Sequence, residues 1–214
     1  MQILAHSVTP KSILLIGAHC DDIEIGCGAT VLHLVERFPE AHFDWVVFSS
    51  TPTRYQEATR SADLLLTGAR SRNIIIKNFR NGYFPYVGDQ IKDYFEILKT
   101  QTNPDWIFTH YGDDLHQDHR IISELTWNTF RNHLIFEYEI PKYDGGLGSP
   151  NCFIPVRQSL ADKKIDMLMD YFVSEATKQW FSRDTFSAML RIRGIECNSV
   201  TGLAEAFYCR KFLM

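Results

Sequence analysis

The feature that most constrains this chain is an alternation of short apolar runs with longer segments at helical spacing. Ser12–Ile16 is a compact, β-branched run ending in Gly17-Ala18. Cys27–Phe38 follows with helical spacing through Val31, Leu32, Leu34 and Val35. Phe43–Phe48 reads as the next strand, and Arg54–Thr67 as the next helix, with Gly68 as its stop. Asn73–Ile76, Trp106–Thr109 and Leu134–Ile140 continue the strands, while Gln90–Lys99 and Asp118–His133 continue the helices. Strands separated by helices of this length predict parallel βαβ units with right-handed crossovers. The expected fold class is therefore α/β, a Rossmann-like open, mostly parallel sheet with helices on both faces. After Pro150 the pattern predicts helices near Leu160–Glu175 and Thr185–Arg193 and a last strand near Ala206–Phe212.

At 214 residues the chain is expected to form one domain over residues 1–214. The Gly and Pro residues of Lys142–Pro150 mark a long loop, because the remainder is too short for a second core. A formal net charge of -4 offers no basic footprint for a nucleic-acid backbone. The five cysteines are unpaired in spacing, which points to a reducing compartment and argues against a disulfide framework. The first residues lack a signal-peptide pattern, and no apolar stretch is long enough to span a membrane. The expected location is the cytoplasm, with no membrane partner.

In open α/β sheets, sites form beyond the carboxyl ends of the strands. Two polar clusters fall there. The first, His19-Cys20-Asp21-Asp22-Ile23-Glu24, follows the first strand; the second, His110-Tyr111-Gly112-Asp113-Asp114-Leu115-His116-Gln117-Asp118-His119, follows the fourth. Turn-forming and helix-capping Asp residues would explain either cluster alone. Two groups of imidazoles and carboxylates on one predicted edge point instead to a divalent first-row cation.

His-x-Asp-Asp after the first strand, with Asp-x-His-x-Asp-His after a later one, resembles the PIG-L/LmbE-like zinc-dependent N-deacetylase family. The likeness extends to Arg54-x-x-Glu57, Arg193-Gly194 and Ala204-Glu205-Ala206-Phe207. It implies that His19, Asp22 and His119 bind the metal, zinc or ferrous iron, with Asp21 as general base. It also implies that His116, as an imidazolium, stabilises the oxyanion and that Asp118 orients it. Arg54 and Asp114 are candidate substrate contacts; an ion pair for Arg54, and capping or tuning of a metal-bound His for Asp114, are the plainer readings. The implied reaction removes an acetyl group from an N-acetylated amino sugar or glycoside, such as an N-acetylglucosamine derivative, in an enzyme prone to self-association.

The chemistry is coherent. A bound cation lowers the pKa of its water and polarises a carbonyl, and Asp21, next to Asp22, can turn to that water. The family's usual Pro between the His and the first Asp is Cys20 here, which predicts a looser turn and a packed thiol. Gly26 and Gly28 lack the full dinucleotide-binding pattern and read as sites of close packing. His6, His33, His42 and His133 read as ordinary structural or surface residues, and His110 as a core histidine. Two alternatives remain: a metal-dependent amidase or esterase acting on a non-sugar, and a non-catalytic binding protein of the same fold.

Overall fold

The computed structural model describes residues 9–212. Seven strands form one sheet in the order β3-β2-β1-β4-β5-β7-β6. β1 (Ser12–Gly17), β2 (His42–Val47), β3 (Ser71–Ile76), β4 (Trp106–His110) and β5 (Leu134–Tyr138) pair in parallel. β7 (Ala204–Tyr208) runs antiparallel to β5 and carries β6 (Cys152–Pro155), also antiparallel, at the edge. The α/β fold with a mostly parallel sheet is the one expected.

β1 reads as an unbroken apolar run from Ile13 to Ile16 because both faces of the sheet are covered there. Along β1, Ile13 and Leu15 enter one core while Leu14 and Ile16 enter the other, all fully buried. The first core is closed by α1 (Asp22–Arg37), α2 (Pro52–Leu65), α5 (Gln158–Tyr171) and α6 (Arg183–Glu196), through residues such as Leu32, Ala58, Leu168 and Leu190. The second is closed by α3 (Gly88–Gln101) and α4 (Gln117–Thr129), through Ile91, Phe95 and Ile122.

Several boundaries differ from the sequence reading, among them that of β7, which ends at Tyr208 where the last strand was expected to reach Phe212. α1 starts at Asp22, five residues before Cys27, and Cys27 itself is non-helical at φ -145° and ψ 20°. The helix survives that break because the Glu205 carboxylate accepts the N–H groups of Ala29 and Thr30, at 3.1 and 2.6 Å. α4 ends at Thr129, before His133. β6 lies between Pro150 and α5, where no strand was expected; it is short, partly exposed and ends in Pro155. His6 lies outside the described residues. Among the described residues, no helix is long and apolar enough to cross a membrane.

The chain order reverses between β1 and β4, which both leave the central sheet at the same edge. The crevice that such a reversal opens is bordered by the loop into α1 and the loop into α4.

Candidate metal centre

β1 ends at Gly17, and Asp22 opens α1 with its carboxylate turned back to accept the His19 backbone N–H at 2.6 Å. β4 ends at His110, and His116 caps α4, so that His119 lies on the first turn of that helix. His19, Asp22 and His119, the expected ligands, are all buried and mutually adjacent. His19 Nδ1 lies 3.2 Å from His119 Nε2 and 3.4 Å from Asp22 Oδ2, and His119 Nε2 lies 3.5 Å from Asp22 Oδ1. Donors about 2.0–2.1 Å from a tetrahedral ion stand about 3.3–3.4 Å apart. The two imidazole nitrogens stand at the separation a divalent cation requires, and Asp22 offers a different oxygen to each; single donor atoms within 4.8 Å of one another also group as His19, His116 and His119, and as Asp22, His110 and His119.

The far side of each imidazole supports the same fit. His119 Nδ1 donates to Asp114 Oδ2 at 3.1 Å, and His19 Nε2 donates to Asp118 Oδ2 at 3.2 Å. A carboxylate behind each ring fixes which nitrogen faces outward and turns the other inward, as the partners of metal-binding histidines do. Burial and the neighbouring His110 push His119 down to about 3, so its inward lone pair is bare. Burial works against the charge on His19, but Asp22 and Asp118 outweigh it and raise the ring to about 9. Burial also works against the Asp22 carboxylate, yet the imidazoles of His119, His110 and His19 hold it well below the usual range.

Asp118 has a different set of partners from the one anticipated. Its carboxylate accepts from His19, from Gly82 N–H at 2.6 Å and from Phe84 N–H at 3.1 Å, which ties the loop after β3 to the centre. It meets His116 through its backbone, whose N–H donates to His116 Nδ1 at 3.2 Å. That bond puts the proton of a neutral His116 on Nε2. Burial and the charge of His19 lower His116, so the pocket favours neutral imidazole where an imidazolium was anticipated. The ring is half-buried and meets His19 edge-on, with centroids 5.0 Å apart.

Asp21 is buried, and its Oδ1 accepts from Arg54 Nη2 at 2.6 Å. Arg54 also lies 3.5 Å from Glu175, whereas Glu57 is taken up by the N–H and hydroxyl of Ser174. Asp114, at 1 % exposure, holds His119 Nδ1, the His116 N–H at 2.7 Å and Lys142 Nζ at 2.7 Å. Both residues considered for substrate contact are thus turned to protein partners. Cys20 is fully buried and its thiol donates to the Ser49 carbonyl at 3.3 Å, away from the three ligands.

Sequence reasoning passed over two members of the site. His110, read as core, is fully buried, but its Nε2 lies 3.0 Å from Asp22 Oδ2 and its ring stacks on His119 at 3.9 Å. Its position at the end of β4 was the available signal. Lys142 sits in the long loop after β5, where nothing in the local pattern marked it.

Residues 14–130 match the family of PIG-L, GlcNAc-PI de-N-acetylase. The chain belongs to this family. A sequence comparison with curated proteins gives no match. Among solved structures, the N,N'-diacetylchitobiose deacetylase of Pyrococcus horikoshii superposes with a TM-score of 0.70 at 20% identity, over 94% of this chain and 84% of the other. The 4-carboxy-2-hydroxymuconate hydratase GalB of Pseudomonas putida KT2440 gives 0.73 at 14% identity, over 95% and 98%. A zinc-inhibited form of teicoplanin deacetylase gives 0.72 at 13% identity, over 92% and 97%. At these identities the likeness establishes the fold, and a deacetylase and a hydratase both use it.

Proposed function

We propose that this PIG-L family member is a divalent-metal-dependent N-deacetylase, with zinc or ferrous iron held by His19, Asp22 and His119. The observation that carries the proposal is the pair of imidazole nitrogens 3.2 Å apart with the Asp22 carboxylate within 3.5 Å of both, each imidazole backed by its own carboxylate. A structural cluster needs no such pair of inward-facing imidazole nitrogens. When bound, the cation supplies Lewis acidity to water and to the amide carbonyl.

The chain's own residues supply the remaining steps. Asp21 takes the proton of the attacking water and returns it to the departing amine, with Arg54 fixing which of its oxygens is free. His116 donates its Nε2 hydrogen to the oxygen on which negative charge develops, and its backbone-bonded Nδ1 holds the ring in place. Asp114 and Asp118 orient the two ligand imidazoles. Such a set of groups hydrolyses an amide to acetate and a free amine.

The substrate class comes from the family. Its matched description names a GlcNAc-bearing compound, and the superposed deacetylases are named for N,N'-diacetylchitobiose and teicoplanin. We assign an N-acetylated amino sugar or glycoside on that basis. The test is acetate release from a panel of N-acetylhexosamine compounds, with and without chelator, by the wild type and Asp21→Asn. Acetate release that stops with chelator and falls about 10³-fold in the variant, with its metal retained, is the expected result. Turnover that persists in chelator would end the metal assignment. A catalytically inert chain that binds glycoside equally well with and without the substitution would make it a binding protein.

A further inference from the structure

The loop that follows β5 has no regular structure between residues 139 and 151, yet it is seated firmly. Arg193 on α6 grips Glu139 with two bonds, Nε to Oε2 at 2.9 Å and Nη2 to Oε1 at 2.8 Å, and also reaches the Gly148 carbonyl. Tyr208 donates its hydroxyl to Glu139 at 2.9 Å. Gly146, at φ 95°, lies so close to Leu115 that an added Cβ would come within 3.2 Å of the Leu115 nitrogen. The loop is thus fastened to α6 and β7 through Glu139 near its start and Gly148 near its end, and laid against the loop that carries Asp114 and His116.

From this position Lys142 reaches inward. Its side chain is only 7 % exposed, and its ammonium donates to Asp114 Oδ2 and to the Ile140 carbonyl, both at 2.7 Å. A buried ammonium is costly unless paired, and the carboxylate that pairs it is Asp114. The same oxygen of Asp114 receives His119 Nδ1, and the other oxygen receives the His116 backbone N–H. The carboxylate plane is therefore pinned at both ends, and the charge-assisted bond from Lys142 is the strong one of the set.

We infer that Lys142 is a positioning residue of the metal centre, locking the Asp114 carboxylate so that His119 presents its inward nitrogen to the cation. This rests on the metal reading above. It explains why a loop remote in sequence from both polar clusters is anchored by a buried Arg–Glu pair: the anchoring sets where the lysine arrives. Charge alone would act in the opposite direction, because removing a nearby cation should tighten the grip on a divalent ion. The sign of the change separates the two effects.

The test is a Zn2+ affinity measurement by competition against a colorimetric chelator, on the full chain. Lys142→Met should weaken Zn2+ binding about tenfold, within the range found when a partner behind a metal-bound His is lost. In an Asp114→Asn background the same substitution should add less than about twofold, because the lysine acts through that carboxylate. Unchanged or tighter binding in Lys142→Met would overturn the inference, and so would an undiminished tenfold loss in the Asp114→Asn background. If Lys142→Met does not fold, as judged by circular dichroism, Lys142→Gln serves in the same cycle with the same criteria. Failure of the wild-type chain to bind Zn2+ would overturn the metal reading itself, and this inference with it.

Discussion

Arg54 Nη2 donates to Asp21 Oδ1 at 2.6 Å, so the carboxylate proposed as general base sits in an ion pair that is largely out of water. An arginine next to this aspartate could serve substrate or catalyst, and kinetics distinguish them. Arg54→Gln leaves a buried carboxylate without its partner, which costs about 3 kcal/mol of stability. With the base free to turn, kcat should fall at least about tenfold while KM changes little. A rise in KM at constant kcat would return Arg54 to the role of substrate contact.

His19 carries a prediction about pH. In the metal-free protein the ring is raised to about 9, and its Nδ1 lies 3.2 Å from the bare Nε2 of His119. At neutral pH a proton therefore occupies the line that a cation must take, because a ligating imidazole has to be neutral. Below about 9 each unit of pH should cost about tenfold in apparent affinity. Zn2+ titrations between pH 6.5 and 8.5 should show affinity rising with pH, and uptake in weakly buffered solution should release about one proton per ion from this ring. An affinity flat across that window would refute the assignment of His19 as a protonated ligand.

Cys20 gives the third. Burial pushes its thiol pKa well up, with the Arg54 charge as a smaller opposing influence, and its hydrogen bond goes to the Ser49 carbonyl. A thiolate is the reactive form, so this cysteine should resist alkylation. Peptide mapping after iodoacetamide should find Cys20 unmodified in the native protein, both with metal and after chelation. Fast labelling that appears only after chelation would make Cys20 a ligand.

The pattern of the chain revealed the sheet better than its edges, for a physical reason. β1, β2 and β4 are buried on both faces, and their mostly apolar runs announce them. β6 has four residues of intermediate or exposed character, with a proline at its end, and carries no such signal. The start of α1 was hidden because Gly26, the non-helical Cys27 and Gly28 break the helical spacing, and Glu205, far along the chain, restores the missing bonds. The meeting of His19, Asp22 and His119 was legible because the ends of β1 and β4 place polar clusters on one edge. The partners of Arg54, Asp118 and Lys142 were not, since each contact joins segments whose proximity only the folded topology creates.

Gly26 and Gly28, two residues apart, should respond to alanine in opposite ways. A Cβ on Gly26 would fall 2.1 Å from Cδ2 of Tyr138, a fully buried ring whose hydroxyl is committed to the Ile16 carbonyl at 2.6 Å. The ring cannot withdraw without losing that bond, so α1 must move, at a cost of about 1–3 kcal/mol or more. A Cβ on Gly28 would meet Lys164 Cγ at 3.4 Å, an ordinary contact, and there alanine's better helix propensity should leave stability unchanged or raise it by up to about 1 kcal/mol. Because the displaced turn carries Asp22, Gly26→Ala should also weaken Zn2+ binding, whereas Gly28→Ala should not. Urea midpoints and metal titrations on the two variants provide the check. Equal effects at both positions would mean that the close approach of α1 to Tyr138 does not set the position of the ligand.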